Sequence, residues 1–129
     1  MIPTSTLLNR WRSILLVLAA SLLVAAAPRT VILRGSVVGI TDGDTCTLLV
    51  GATQYKIRLE GIDAPEMDQP FGKQSKRFVS KLIFGKTVDV KDLGLDNYKR
   101  TLGYITEGST EVNEAIVTAG LARHYVQVL

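Results

Sequence analysis

The sequence predicts an α+β fold: a five-stranded OB-type β-barrel with one helix after the third strand and a short second helix near the C-terminus. Three observations predict it. From Leu33 onward short segments alternate apolar and polar residues, tight-turn residues separate them, and one stretch of helical period interrupts them after the third. A closed barrel suits so small a chain because closure removes exposed strand edges.

A different kind of sequence precedes the barrel. Arg10 and Arg12 lead into Ile14 to Ala27, which holds no charge and one polar residue, Ser21. A basic region, an apolar run and a small-residue exit describe a secretory signal. As a helix, that run spans about 21 Å, short of the ~30 Å hydrocarbon core. Residues 1–27 are therefore expected to be an export signal, or an N-terminal membrane anchor if uncut, and residues 28–129 the folded domain. Pro28 makes a poor junction after Ala27, which favours a cut after Ala26 or Ala20. Arg10 and Arg12 also carry two of the three net positive charges. Net charge thus says nothing about a nucleic-acid partner; only the placement of charges can.

Within the domain, Ser36 to Thr41 reads as the first strand and Asp42-Gly43-Asp44 as a turn. Thr45 to Val50 is the second strand, Gly51-Ala52 a hairpin link, and Thr53 to Leu59 the third strand. In that third strand Tyr55, Ile57 and Leu59 share one face, with Gln54, Lys56 and Arg58 on the other. Phe71, Phe78, Val79, Leu82 and Ile83 form one stripe of period 3.6, which predicts a helix from Phe71 to Phe84, stopped by Gly85. Lys73, Lys76, Arg77 and Lys81 fill its wet face, more often a solvated surface than a track for DNA. Thr87 to Lys91 and Leu102 to Thr106 are the fourth and fifth strands. Asn113 is expected to cap a short helix, Glu114 to Ala119, ended by Gly120, before a last extended piece from Leu121 to Val128.

Cys46, the single cysteine, lies in a strand pattern and reads as a buried small hydrophobe. The lone His124 reads as a surface residue. With neither a Cys nor a His cluster, zinc is disfavoured.

The residues left for chemistry are acids and arginines. Asp44 ends the first turn, Asp63 and Glu66 follow the third strand, Arg58 lies near that strand's end, and Arg100 sits in the loop before the fifth. Carboxylates with backbone carbonyls and water suit a hard cation such as Ca²⁺ or Mg²⁺. Arginine suits two-pronged contact with phosphate, and a further carboxylate can orient or deprotonate water. Each residue has a plainer reading: Asp42 and Asp44 as turn formers, Asp63 as a turn residue before Ala64-Pro65, and Glu66, Arg58 and Arg100 as solvated surface charges.

Taken together, the motifs tilt the balance. Ile40-Thr41-Asp42-Gly43-Asp44-Thr45, Ile57-Arg58-Leu59-Glu60-Gly61-Ile62-Asp63-Ala64-Pro65-Glu66 and Tyr98-Lys99-Arg100-Thr101-Leu102-Gly103-Tyr104 resemble the staphylococcal nuclease (thermonuclease) family in order and spacing. Val112-Asn113-Glu114-Ala115-Ile116-Val117 and Ala119-Gly120-Leu121-Ala122 resemble its following helix and turn. The resemblance implies a Ca²⁺-dependent phosphodiesterase acting on DNA and RNA with little sequence preference and leaving 3′-phosphate ends. It implies Asp44 and Asp63 as calcium carboxylates, with Ala64 offering a backbone carbonyl. It implies Glu66 as general base or water positioner, Arg58 and Arg100 as phosphate-binding catalytic residues, and Tyr98 as a nucleotide contact. Tyr125 falls one residue from a second nucleotide-contacting tyrosine.

Three departures accompany the likeness. The loop after Glu66 is shorter than in the best-known member, Asn97 replaces a lysine, and a third helix found in longer relatives has no counterpart before Leu129. No protein partner is implied, and a monomer is expected. The competing reading is a non-catalytic nucleic-acid-binding OB-fold module, against which the three acids argue, since unneeded carboxylates repel phosphate.

Overall fold

The structure, a computed structural model, describes residues 28–126. The expected leader, residues 1–27, and the end of the last extended piece lie outside it. No described helix is long and apolar enough to cross a membrane.

The elements run β1 (Val31–Asp42), β2 (Thr45–Val50), β3 (Thr53–Leu59), β4 (Ile62–Asp63), α1 (Gly72–Ile83), β5 (Thr87–Leu95), β6 (Thr101–Glu107), β7 (Thr110–Glu111), α2 (Val112–Thr118) and β8 (Arg123–His124). Strands pair in the order β3-β2-β1-β5-β6, and a parallel β3–β6 pairing closes the ring. The five-stranded barrel with two helices is thus the predicted fold. β7 hairpins back onto β6, and β4 pairs with β8 in a separate two-stranded ribbon. That ribbon brings the C-terminal segment beside Asp63, as Asp63 pairs with Arg123.

Alternation explains the interior. Val37, Cys46, Leu48, Ile57, Leu59, Val88, Val90 and Ile105 point into the barrel, and the two helices plug it with Val79, Ile83, Val112 and Ile116. Each such side chain contributes about 1.5–3 kcal/mol by leaving water. Cys46 belongs to this core, and burial pushes its thiol up to about 12, which removes it as a nucleophile. His124 is exposed, as expected.

Four details differ from the sequence expectation. β1 begins at Val31 rather than Ser36, because Val31 to Gly35 hydrogen-bond to β5 although Val31 and Ile32 stay exposed and carry no burial pattern. β5 likewise runs on to Leu95 across an irregularity between Asp92 and Leu95. The buried stripe of α1 is Gly72, Ser75, Val79 and Ile83, with Phe78 and Leu82 packed on its flanks. Phe71 stands outside the helix, 65% exposed with φ 66°. A Cβ on Gly72 would collide with the Glu66 carbonyl, so the helix begins at the residue that can lie against that backbone. Finally, Asn113 is not a cap. It lies inside α2 and is buried; its amide accepts from the Ile105 N–H and donates to the Glu60 and Gly103 carbonyls. A barrel that must satisfy buried backbone groups has recruited the amide from the helix end.

Candidate active site

The turn between β1 and β2 separates its two acids. Asp42 accepts the Asp44 N–H at 3.0 Å, a local turn contact. Asp44 instead points inward, 6% exposed, accepting the Thr45 hydroxyl at 3.0 Å and the Ala64 N–H at 2.9 Å. The bond to Ala64 ties the first turn to the segment after β3. Gly43 makes the approach possible: a Cβ there would strike the buried Ser75 hydroxyl and the Ala64 Cβ. Ser75, in turn, donates to the Leu121 carbonyl at 2.9 Å. Turn, helix and C-terminal segment therefore meet at one point.

Arg58 is half-buried rather than solvated. Its Nη1 donates to the carbonyls of Leu59 and Ile62 at 2.7 and 2.9 Å. Its Nη2 faces Asp44 at 3.4 Å and Asp63 at 3.8 Å. Charge-assisted bonds run about 2.7–2.9 Å, so neither acid is tightly claimed by that nitrogen. The second oxygen of Asp63 takes Arg123, Nη2 at 3.0 Å. Burial raises the Asp44 carboxyl above its ordinary 3.8; Asp42 adds to the rise, while the Ala64 N–H and Arg58 oppose it. A buried acid with such incomplete compensation is a natural seat for a cation.

The donor set is compatible with a hard ion. Two carboxylates from separate segments converge, and no cluster of three His, Cys, Asp or Glu exists among the described residues. The rest of a coordination shell has to come from backbone carbonyl and water, as calcium and magnesium accept and zinc does not prefer.

Beside these acids runs a groove of about 490 Å³ lined by Arg58, Asp63, Tyr98, Arg100 and Tyr125. Arg100 is held by Asp96: the carboxylate accepts Nε at 2.8 Å and the N–H groups of Tyr98 and Arg100 at 2.8 and 2.9 Å. The guanidinium also lies 5.3 Å from the Tyr98 ring centre. Burial opposes ionisation of Asp96, yet the Arg100 N–H, its guanidinium and the Tyr98 N–H together hold the carboxyl below its ordinary value. Tyr125 reaches the groove because its N–H donates to the Gly61 carbonyl at 2.8 Å.

Glu66 is the exception. It sits on an exposed turn, its N–H donating to the Gln69 side chain at 2.8 Å, and it does not line that groove. Among the described residues its carboxylate forms no ion pair.

Comparison with known proteins gives the family. The family described as "Staphylococcal nuclease homologue" matches residues 56–129. A protein named micrococcal nuclease from Shigella flexneri is 36% identical over 118 residues, 84% of this chain and 68% of its own. The chain belongs to the staphylococcal nuclease family. Proteins named uncharacterized endonuclease from Haemophilus influenzae and from Escherichia coli O157:H7 are 42% and 40% identical, over 70% and 74% of this chain. The chain spans only 52% and 63% of those two relatives.

The structure groups the candidates by contact. Asp44, Arg58, Asp63 and Ala64 form one connected unit; Arg100, Tyr98 and Tyr125 flank it; Glu66 lies on the neighbouring turn. Sequence reasoning overlooked Asp96 and Arg123, which orient the loop arginine and share Asp63. The i,i+4 spacing of Asp96 and Arg100 was a usable signal for the first; the second depends on the β4–β8 pairing, which no local pattern announces.

Proposed function

We propose that this chain is an exported, calcium-dependent nuclease that hydrolyses DNA and RNA phosphodiesters with little sequence preference and leaves 3′-phosphate ends. The supporting observation is the seat of Arg58, whose Nη1 is locked on two carbonyls while Nη2 faces both Asp44 and Asp63. A guanidinium fixed in this way meets a phosphate with little reorganisation.

Asp44, Asp63 and the Ala64 carbonyl would hold Ca²⁺. When bound, the ion supplies positive charge to a phosphoryl oxygen and a place for water. Arg58 and Arg100 clamp the remaining phosphoryl oxygens from two sides and stabilise the charge that grows there. Tyr98 and Tyr125 bind the adjoining nucleotide along the groove. Glu66 swings from its exposed turn to accept, or orient, the proton of the attacking water. The new bond joins water oxygen to phosphorus, the bond to the 5′ oxygen breaks, and that oxygen takes up a proton. The leader in residues 1–27, cleaved or kept as an anchor, carries the domain out of the cytoplasm.

Plasmid degradation by the purified chain, with calcium or with chelator, tests the reading. Glu66→Gln should lower kcat about 10²–10⁴-fold with nucleic-acid binding kept. Near-normal turnover would remove Glu66 from the mechanism. Binding without calcium-dependent cutting would point instead to a non-catalytic binding module.

A further inference from the structure

A second groove, of about 470 Å³, opens on the far side of Asp63, lined by Pro65, Gln69, Pro70, Phe71, Leu121 and Arg123. Asp63 borders both grooves, so the two meet at that acid. Three features of it are unexplained by the chemistry above. Phe71 is 65% exposed, a large apolar ring left in water at the groove wall. Its backbone adopts φ 66°, a conformation that costs a bulky residue on the order of 1–3 kcal/mol and persists only where the surroundings impose it. Its carbonyl accepts the Ser75 N–H and the neighbouring Gly72 N–H bonds to the Gln69 carbonyl, which fixes the ring's point of attachment. Arg123, opposite, is 82% exposed in its side chain. It spends Nε and Nη2 on Asp63, while Nη1 has no partner among the described residues.

We propose that this groove is a nucleotide subsite for the strand beyond the scissile phosphate, in which a base stacks on Phe71 and Arg123 Nη1 contacts the backbone phosphate. The inference rests on the nuclease reading of the adjoining site. An aromatic face paired with a cation suits single-stranded nucleic acid without regard to sequence, because every base has a stacking face. The rigid Pro65 and Pro70 walls and the Gln69 amide, itself bound to the Glu66 N–H, link this wall to the turn that bears Glu66.

The test uses single-stranded DNA with one cleavable linkage, extended by several nucleotides on one side, on the other, or not at all. Binding by anisotropy and cleavage in calcium are both followed. Phe71→Gly should lower the extended-to-unextended ratio of kcat/KM about tenfold for one side only, the loss of a single stacked base. Arg123→Ala, which also removes a partner of Asp63, should lower cleavage of all three substrates and that of the same extended side most, and Phe71→Tyr should restore the ratio while Phe71→Leu does not. Thermal stability of Phe71→Gly should hold or rise, since glycine relieves the positive φ. A ratio unchanged for both extended substrates overturns the subsite. So does an equal loss on all three, or a loss shared by Phe71→Tyr. Should the wild type fail to cut in calcium while Phe71-dependent binding of one extended strand persists, the nuclease reading falls and the subsite stands.

Discussion

The two arginines of the site differ in one contact: Arg58 also reaches an acid from a remote turn, and Arg100 does not. Arg58 is seated by two segments: the Leu59 and Ile62 carbonyls and Asp63 follow it within five residues, Asp44 comes from the first turn, and the Asp44–Ala64 bond ties the two together. Arg100 is seated by its own loop. Asp96 gathers Tyr98 and Arg100 within five residues, and Lys99, at φ 62°, closes the turn. The first position needs Asp44 brought across from the β1–β2 turn; the side-chain contacts of the second all lie within its own loop. One arginine therefore belongs to a floor built from two segments, the other to a local clamp.

That contrast can be broken from either end. Arg58→Lys removes the fork that bonds two carbonyls and faces two acids at once, and no ammonium reproduces it. We expect kcat to fall about 10²–10³-fold, measured in single-turnover cleavage at saturating calcium. A loss no greater than that of an exposed surface lysine would show that the seat is irrelevant. Gly43→Ala attacks the same floor through packing, by wedging a methyl against Ser75 and Ala64. Overpacking of this kind costs about 1–3 kcal/mol, read as a lower urea midpoint, with calcium affinity reduced alongside. The smallest effect is expected at the clamp. Asp96→Asn keeps the turn acceptor but loses the charge on Arg100, so KM should rise a few fold with kcat little changed. The same variant has a pH signature. The Asp96 carboxyl lies below 3.8 in the folded chain, so its contribution is fully present above that value and is lost as pH falls through the folded pKa. Acid unfolding of Asp96→Asn should therefore show a shallower limb below about pH 4 than the wild type.

The same contrast explains what could be read from the residues alone. β2 and β3 match their expected bounds because clean alternation and a tight link define them locally. The Asp96 clamp obeys a local spacing and was there to be seen. What escaped detection was set by tertiary contact. Asn113 has the composition of a cap yet serves three backbone groups of the barrel. Ser75 looks like a wet-face residue yet is fully buried against the first turn and Leu121. Arg58 occupies what alternation marks as the outward face, and only the return of β4 turns that face into a site. The long-range pairings decided which of the motif residues touch.

The most direct test of the floor is calcium binding by calorimetry at neutral pH. The wild type should take up one ion per chain, and Asp44→Asn, whose amide oxygen can still accept the Ala64 N–H while the buried charge is gone, should take up none or bind it at least tenfold more weakly. Equal binding by both proteins, or none by the wild type, would contradict the assignment of Asp44 and Asp63 as the seat of the cation.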